Sequence, residues 1–212
     1  MVEVLKGVRT IEVAKADGLD TEVYILECEG GLILIDVGFT PTCKDNIKTE
    51  LDGMERDWKD IKLILITHAH GDHIDNLGEV KKLTGAEVML GEGDIDSLKE
   101  QTGIDADMGL EDGDVIDACG GIEVIHVPGH SKGNLSFYLR RNKLIIAGDT
   151  IFGDRHRNLY APPEKYCEDV ELAAKGIEKL LNYDFNKLFL SHGKSLLRGA
   201  KKRVRDLVVE CS

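Results

Sequence analysis

Short apolar-rich runs at 8–13, 22–28 and 32–37 open the chain, separated by the turn signals Asp17-Gly18 and Gly30-Gly31. They predict strands joined as hairpins. From Pro41 to about residue 54 the pattern predicts a helix, with proline at its first turn. The unbroken run Ile61-Lys62-Leu63-Ile64-Leu65-Ile66 then predicts a buried strand. A helical stretch from about 74 to 83 follows, ended by Gly85 before a strand at 86–90. Residues 91–121 are acidic and glycine-rich, with a short helix expected near 95–101. Strands return at 122–127, 135–139 and 144–147. Between 162 and about 181, helical spacing puts Val170, Ala173, Ala174, Ile177, Leu180 and Leu181 on one face. A last strand at 187–190 precedes a closing helix through about 209. Two batches of strands, each followed by helices, predict two sheets packed face to face with helices on both outer surfaces. A single domain over 1–212 is the simplest reading.

Composition narrows the function. With 42% hydrophobic and 31% charged residues the chain has material for a large core and is not a disordered segment. Thirty-nine acidic residues against 27 basic ones give a net charge of −12, which argues against general nucleic-acid binding. A small anionic substrate responds to local charge and stays compatible. The cysteines Cys28, Cys43, Cys119, Cys167 and Cys211 are odd in number, widely spaced and form no Cys-x-x-Cys pair. That pattern predicts free thiols in a reducing compartment. The start, Met1-Val2-Glu3-Val4-Leu5-Lys6-Gly7, shows no basic region followed by an apolar stretch, and no apolar run approaches the ~18 residues of a membrane span. The expectation is a soluble cytoplasmic protein with no nucleic-acid or membrane partner, a small-molecule substrate, and room for a homodimer.

The chemistry concentrates in Thr67-His68-Ala69-His70-Gly71-Asp72-His73, where the buried run at 61–66 gives way to a loop. Solvated turns are built from Gly, Asn, Asp and Ser rather than His. Three imidazoles and a carboxylate packed this tightly suit a borderline metal ion. Of the seven histidines, His130 and His192 lie just past other strands, and Asp149 follows the apolar run at 144–147. If those strand ends share one edge, the ligands form one cluster.

The motif His68-x-His70-x-Asp72-His73, followed by His130, Asp149 and His192 in that order, resembles the metallo-β-lactamase superfamily. It is most similar to the glyoxalase II-like and lactonase-like hydrolase branch. Asp36, in Leu32-Ile33-Leu34-Ile35-Asp36-Val37-Gly38, matches the family's first motif, and the resemblance covers essentially the whole chain. It implies an α+β, four-layer αββα sandwich of two mixed sheets. It implies one divalent metal on His68, His70 and His130 and a second on Asp72, His73 and His192. Asp149 would bridge them, Asp72 would also shuttle a proton, and Asp36 would orient the ligand loops. Two ions ~3.5–4 Å apart lower the pKa of a bridging water and polarise the carbonyl that the resulting hydroxide attacks. The reading is therefore a metal-dependent hydrolase of a small ester, thioester or lactone. Imidazole and carboxylate suit zinc, iron or manganese, with zinc the default.

The same resemblance sets relatives aside. Flavodiiron-type members carry Glu where this chain has His70; true metallo-β-lactamases lack the bridging aspartate and are exported; nuclease members add recognition domains. Glyoxalase II proper adds a C-terminal helical region for glutathione, whereas only residues 193–212 follow His192. A mononuclear iron enzyme similar to persulfide dioxygenases, on His70, His130 and Asp149, is the first alternative, and it leaves His73 and His192 without a purpose. A phosphodiesterase of the same fold and a non-enzymatic metal-binding module complete the alternatives. For the substrate, Lys132, Arg155, His156 and Arg157 are candidate contacts to an anionic group, and Tyr160 a candidate hydrogen-bond donor. His126 reads as core or support for a ligand loop, and no cysteine matches a ligand position.

Overall fold

The computed structural model describes residues 2–14, 20–39 and 42–211, so the turn signal at 17–18 and the expected helix start at Pro41 lie outside the described residues. The first sheet holds seven strands in chain order: β1 (Val2–Leu5), β2 (Val8–Ala14), β3 (Asp20–Cys28), β4 (Gly31–Ile35), β5 (Ile61–Leu65), β6 (Glu87–Gly91) and β7 (Met108–Leu110). β1 to β4 form antiparallel hairpins, and β4 to β7 run parallel. Parallel neighbours need crossovers, supplied by α1 (Thr42–Gly53), α2 (Gly71–Ile74) with α3 (Leu77–Thr84), and α4 (Ile95–Thr102). The second sheet contains β8 (Val115–Ile116), β9 (Ile122–His126), β10 (Leu135–Leu139), β11 (Leu144–Ile146) and, beyond the two-stranded ribbon of β12 (Phe152–Gly153) and β13 (Leu159–Tyr160), β14 (Lys187–Phe189). β14 pairs parallel with β11; the remaining pairs are antiparallel. Helices α5 (Val170–Gly176) and α6 (Ala200–Cys211) complete the chain.

Side-chain alternation turns these strands into three apolar layers. Ile25 and Leu34 face outward, onto Ile47 and Leu51 of α1 and Leu77 and Val80 of α3. Tyr24, Leu26, Ile33 and Ile35 face the other way, meeting Phe137, Leu144, Ile146 and Phe189 between the sheets. Ile125, Tyr138 and Ile145 point out from the second sheet toward Ile177, Leu180, Val204 and Leu207. The order is helix, sheet, sheet, helix, the four-layer sandwich of mixed sheets that the strand pattern and the resemblance imply.

Three local expectations change. The helix expected over 162–181 is cut into a 3-10 turn at Glu164–Tyr166, α5, and a 3-10 segment at Ile177–Asn182. Pro163 is extended, and Asp169 restarts the helix by accepting from the Leu172 N–H. The helix expected from 74 begins at Gly71 and breaks between α2 and α3. The cysteines are not all free thiols: Cys28 and Cys119 form a disulfide with Cα atoms 4.7 Å apart. It ties the end of β3 to the turn after β8, across the two sheets, and leaves Cys43, Cys167 and Cys211 as the free cysteines among the described residues. No helix among these residues is long and apolar enough to cross a membrane.

Candidate metal centre

The pairing of the strands decides where the candidate ligands meet. β4 and β5 are parallel, so Ile35 and Leu65 end side by side. β11 and β14 are parallel, ending at Ile146 and Phe189. β9 runs antiparallel to β10, and β10 antiparallel to β11, so β9 ends at the same edge as β11. Backbone bonds stitch the two edges together, from Leu135 N–H to the Thr67 carbonyl at 2.8 Å and from Glu22 N–H to the Ser191 carbonyl at 2.8 Å. Asp36, residues 67–73, His130, Asp149 and His192 therefore converge on one point.

There His68 Nε2 lies 3.0 Å from His70 Nδ1 and 3.1 Å from His130 Nε2. Nitrogens on a tetrahedral ion with 2.0–2.1 Å bonds sit roughly 3.3 Å apart, so this trio is spaced as a ligand set. Asp72 Oδ2 is 3.3 Å from His192 Nε2 and 3.8 Å from His73 Nε2. Asp149 stands between the trios, Oδ2 at 3.2 Å from His130 and 3.3 Å from His192, Oδ1 at 3.4 Å from His73. Although His73 Nε2 and Asp149 Oδ1 are close and wholly buried, their geometry makes no hydrogen bond. Two buried polar atoms left this close without a bond cost stability unless something bridges them. Among the described residues, His68/His70/His130, His68/His73/Asp149 and Asp72/His73/His192 each bring ligand atoms within 4.8 Å of one another. The donor set fits divalent ions.

The supporting carboxylate is Asp36, held at φ +61° in the left-handed region, which aspartate tolerates better than most residues. It accepts from Thr67 N–H at 2.8 Å, from Thr67 Oγ1 at 2.9 Å and from His73 Nδ1 at 2.8 Å. With its proton committed to Asp36, Thr67 Oγ1 is left to accept from His68 Nδ1 at 3.1 Å. Both rings thus carry their proton on Nδ1 and turn Nε2 toward the cluster. Thr21, fully buried, donates to Asp72 Oδ2 at 3.3 Å.

Electrostatics divide the imidazoles. Burial, reinforced by its neighbouring rings, holds His68 well below the usual imidazole range, and burial with His130 lowers His70. Burial opposes charge on His73 and His192 too, but carboxylates outweigh it. Asp36 and Asp149 raise His73, while Asp149 and Asp72 push His192 up to about 10. The carboxylate of Asp149, despite burial, is kept well below its ordinary value by His192 and His73. With no ion bound, the raised His73 and His192 therefore face the lowered carboxylates Asp72 and Asp149.

A family model of the metallo-beta-lactamase superfamily matches residues 16–205. The chain belongs to the metallo-beta-lactamase superfamily. Hydroxyacylglutathione hydrolases are similar to parts of it: one from Pseudomonas aeruginosa is 37% identical over 98 residues, 45% of this chain and 35% of that protein. Another, from Pseudomonas savastanoi pv. phaseolicola, is 34% identical over 133 residues, 61% of this chain and 49% of that protein. These matches span about a third to a half of the length of the curated relatives. Solved structures carry the fold over the whole chain. A metallo-beta-lactamase family protein from Thermus thermophilus superimposes with a TM-score of 0.77 at 19% identity, covering 98% of this chain and 80% of that one. A metallo-beta-lactamase from Pontibacter korlensis gives 0.78 at 18% identity, with 98% and 97% covered.

In this superfamily member the cluster opens into a cavity of about 550 Å³ lined by His70, Asp72, His130, Asp149, Phe152, Lys165, Tyr166, Cys167, Glu168 and His192. None of the five residues expected to contact substrate lines it. Arg155, His156, Arg157 and Tyr160 belong to a loop that closes on Asp154, which accepts from His156 N–H, Asn158 N–H and Tyr160 Oη. Arg157 is further tied by its carbonyl to Arg203. Lys132 is exposed, its carbonyl accepting from His126 Nε2 at 2.8 Å. The walls come instead from Phe152, whose ring stacks on His192 at 4.9 Å, and from residues 165–168. Cys167 lies with its sulfur 4.0 Å from His130 Nδ1. The sequence signal that could have found this wall is Pro162-Pro163, which breaks the helical pattern just before it.

Proposed function

We propose that the chain is a metal-dependent hydrolase of a small ester, thioester or lactone, working with two divalent ions of which zinc is the default. The observation that carries it is Asp149, whose two oxygens reach His130, His192 and His73 within 3.2–3.4 Å and so link both trios. The substrate named for the hydroxyacylglutathione hydrolases is a thioester, which supports acyl transfer to water over the alternatives of the same fold.

When bound, the ions would supply a water of lowered pKa and polarise the carbonyl under attack. The chain's own residues do the rest. Asp36 fixes two rings in one tautomer, so the ligand atoms are set before substrate arrives. Phe152, stacked on His192, and Tyr166 supply apolar surface to the cavity beside the cluster. Asp72 enters as a carboxylate, held low by His192, and is placed to accept a proton during attack and return it to the leaving group. Lys165, which rests on the Tyr166 ring at 4.4 Å, is the cation within the cavity wall available to an anionic substrate.

Elemental analysis of the loaded protein should give about two ions per chain, and fewer than one would remove the dinuclear reading. A screen of thioesters, including hydroxyacyl glutathione, alongside esters, lactones and phosphodiesters should show turnover in the first three classes. Turnover confined to phosphodiesters, or iron-dependent oxygen consumption with a persulfide, would replace the assignment.

A further inference from the structure

We propose that Asp94 is a positioning residue for the first metal subsite, clamping the His68–His70 turn to the loop that carries His130. The inference rests on the metal-binding reading above and concerns a residue to which neither the motif nor the mechanism assigns a part.

Asp94 follows β6 in Gly91-Glu92-Gly93-Asp94 and is 2% exposed, a carboxylate buried outside the ligand cluster. Oδ2 accepts from the Ala69 N–H at 2.9 Å, and Ala69 is the residue between His68 and His70. The same oxygen accepts from Ser131 Oγ at 2.7 Å, the residue after His130, while Oδ1 accepts from the Gly133 N–H at 2.7 Å. One side chain therefore holds backbone from both sheets' ligand loops. Seven residues later, at the far end of α4, Gln101 Nε2 donates to the Ala69 carbonyl at 2.6 Å. The residue between two ligands is thus gripped at its N–H and its C=O by one short segment.

The backbones leave no slack. A Cβ on Gly91 would run into the Gly133 carbonyl, one on Gly93 into the Lys132 backbone, and one on Gly133 into the backbone of Asp94 itself. Glycine at these positions lets the 91–94 loop and the 131–133 loop lie back to back, which brings the carboxylate within reach of both. Burying a carboxylate is costly unless charge-assisted bonds satisfy it. Here Ala69 lies between His68 and His70, Ser131 follows His130, and Gly133 belongs to the same loop three residues past His130. Asp36 bonds His73 of the second subsite directly and reaches His68 of the first through Thr67, whereas the bonds of Asp94 go to the first subsite's loops alone.

The test measures zinc affinity one subsite at a time by competition with a chromophoric chelator. In a His73→Ala, His192→Ala background only the first subsite remains, and Asp94→Asn should weaken zinc there by about 10- to 100-fold, the usual effect of removing a ligand's outer partner. With His70→Ala and His130→Ala instead, the same substitution should leave zinc affinity at the second subsite unchanged. Should Asp94→Asn not fold, Ser131→Ala and Gln101→Ala each delete one contact and should give smaller losses confined to the first subsite. Equal losses in both backgrounds would mean a general structural role and overturn the proposal, as would unchanged affinity in both. If the unsubstituted chain binds no zinc, iron or manganese, the metal reading itself falls.

Discussion

The sandwich is closed by different means at its two ends. At the ligand end, Asp36, His68, His73, Asp94, His130 and Asp149 are all buried, none more than 3% exposed, and hydrogen bonds between loops hold the sheets together. At the opposite end the Cys28–Cys119 disulfide joins the sheets covalently, beside a cavity of about 900 Å³ bordered by Lys6, Lys62, Asp117 and Arg141. Desolvating charged and polar groups offsets much of what their mutual contacts contribute. The ligand end is therefore an organised cost, carried by the apolar layers and by the covalent tie at the far end. Chemistry and stability occupy opposite edges of the same strands.

The largest effect that would break this division comes from Asp149. Asp149→Ala removes the carboxylate shared by both trios, and turnover should fall by several kcal/mol of barrier, on the order of 10³-fold. The fold should persist, as read by circular dichroism, because the layers of Phe137 and Ile25 are untouched; near-normal turnover would contradict the bridging role. The mirror experiment is Cys28→Ser or Cys119→Ser. Releasing a link between positions 91 residues apart should lower unfolding free energy by about 2–5 kcal/mol, measured by denaturant titration. Metal content and turnover at 25 °C should not change. A drop in bound metal would show that the two ends are coupled.

How much of this was legible beforehand depended on the distance over which a residue acts. The run at 61–66 and the heptapeptide after it were readable because burial and ligand density are local signals. Asp36 was readable as a strand-end residue in a resembling motif. Asp94 was not: a lone aspartate after Gly91-Glu92-Gly93 looks like a turn, and its partners Ser131 and Gly133 are 37 and 39 residues away. Cys28 and Cys119 carry no spacing signal, and only the stacking of two sheets brings them together. The helical periodicity at 170–181 was real, yet Pro163 and Asp169 restrict it to the second half of the stretch. Arg155, His156 and Arg157 stand out in sequence as cations after Asp149, and in the structure they sit on a turn built on Asp154 and are not among the residues that line the cavity.

The charge state of the ligand end gives a smaller, sharper test. Without an ion, Asp149 and Asp72 push His192 up to about 10 from an ordinary value of 6.5, so the ring is protonated at pH 7. The sign follows from linkage: a raised folded-state value contributes stability that is fully present below pH 6.5 and is lost as pH rises through about 10. Metal-free protein should therefore lose melting temperature between pH 7 and pH 10 more steeply than the loaded form. A ligand must also shed its proton to bind an ion. Calorimetric zinc titrations at pH 7 in buffers of different ionisation enthalpy should report at least one proton released per chain. Buffer-independent heats would remove the ion pair from the account.

The smallest expected effect marks where the ligand end stops. Lys165 borders the cavity, whereas Arg157 is not among its lining residues and is held by its carbonyl to Arg203. Lys165 lies beside solvent, and a single exposed charge contact is worth about 0–1 kcal/mol, less than a tenfold change. Lys165→Ala should accordingly raise KM for an anionic thioester a few-fold with kcat unchanged, because it removes binding shared by ground and transition states. The effect should shrink as salt is added. Arg157→Ala should leave KM where it is, and a shift there equal to that of Lys165→Ala would place the 153–160 loop back in the substrate path.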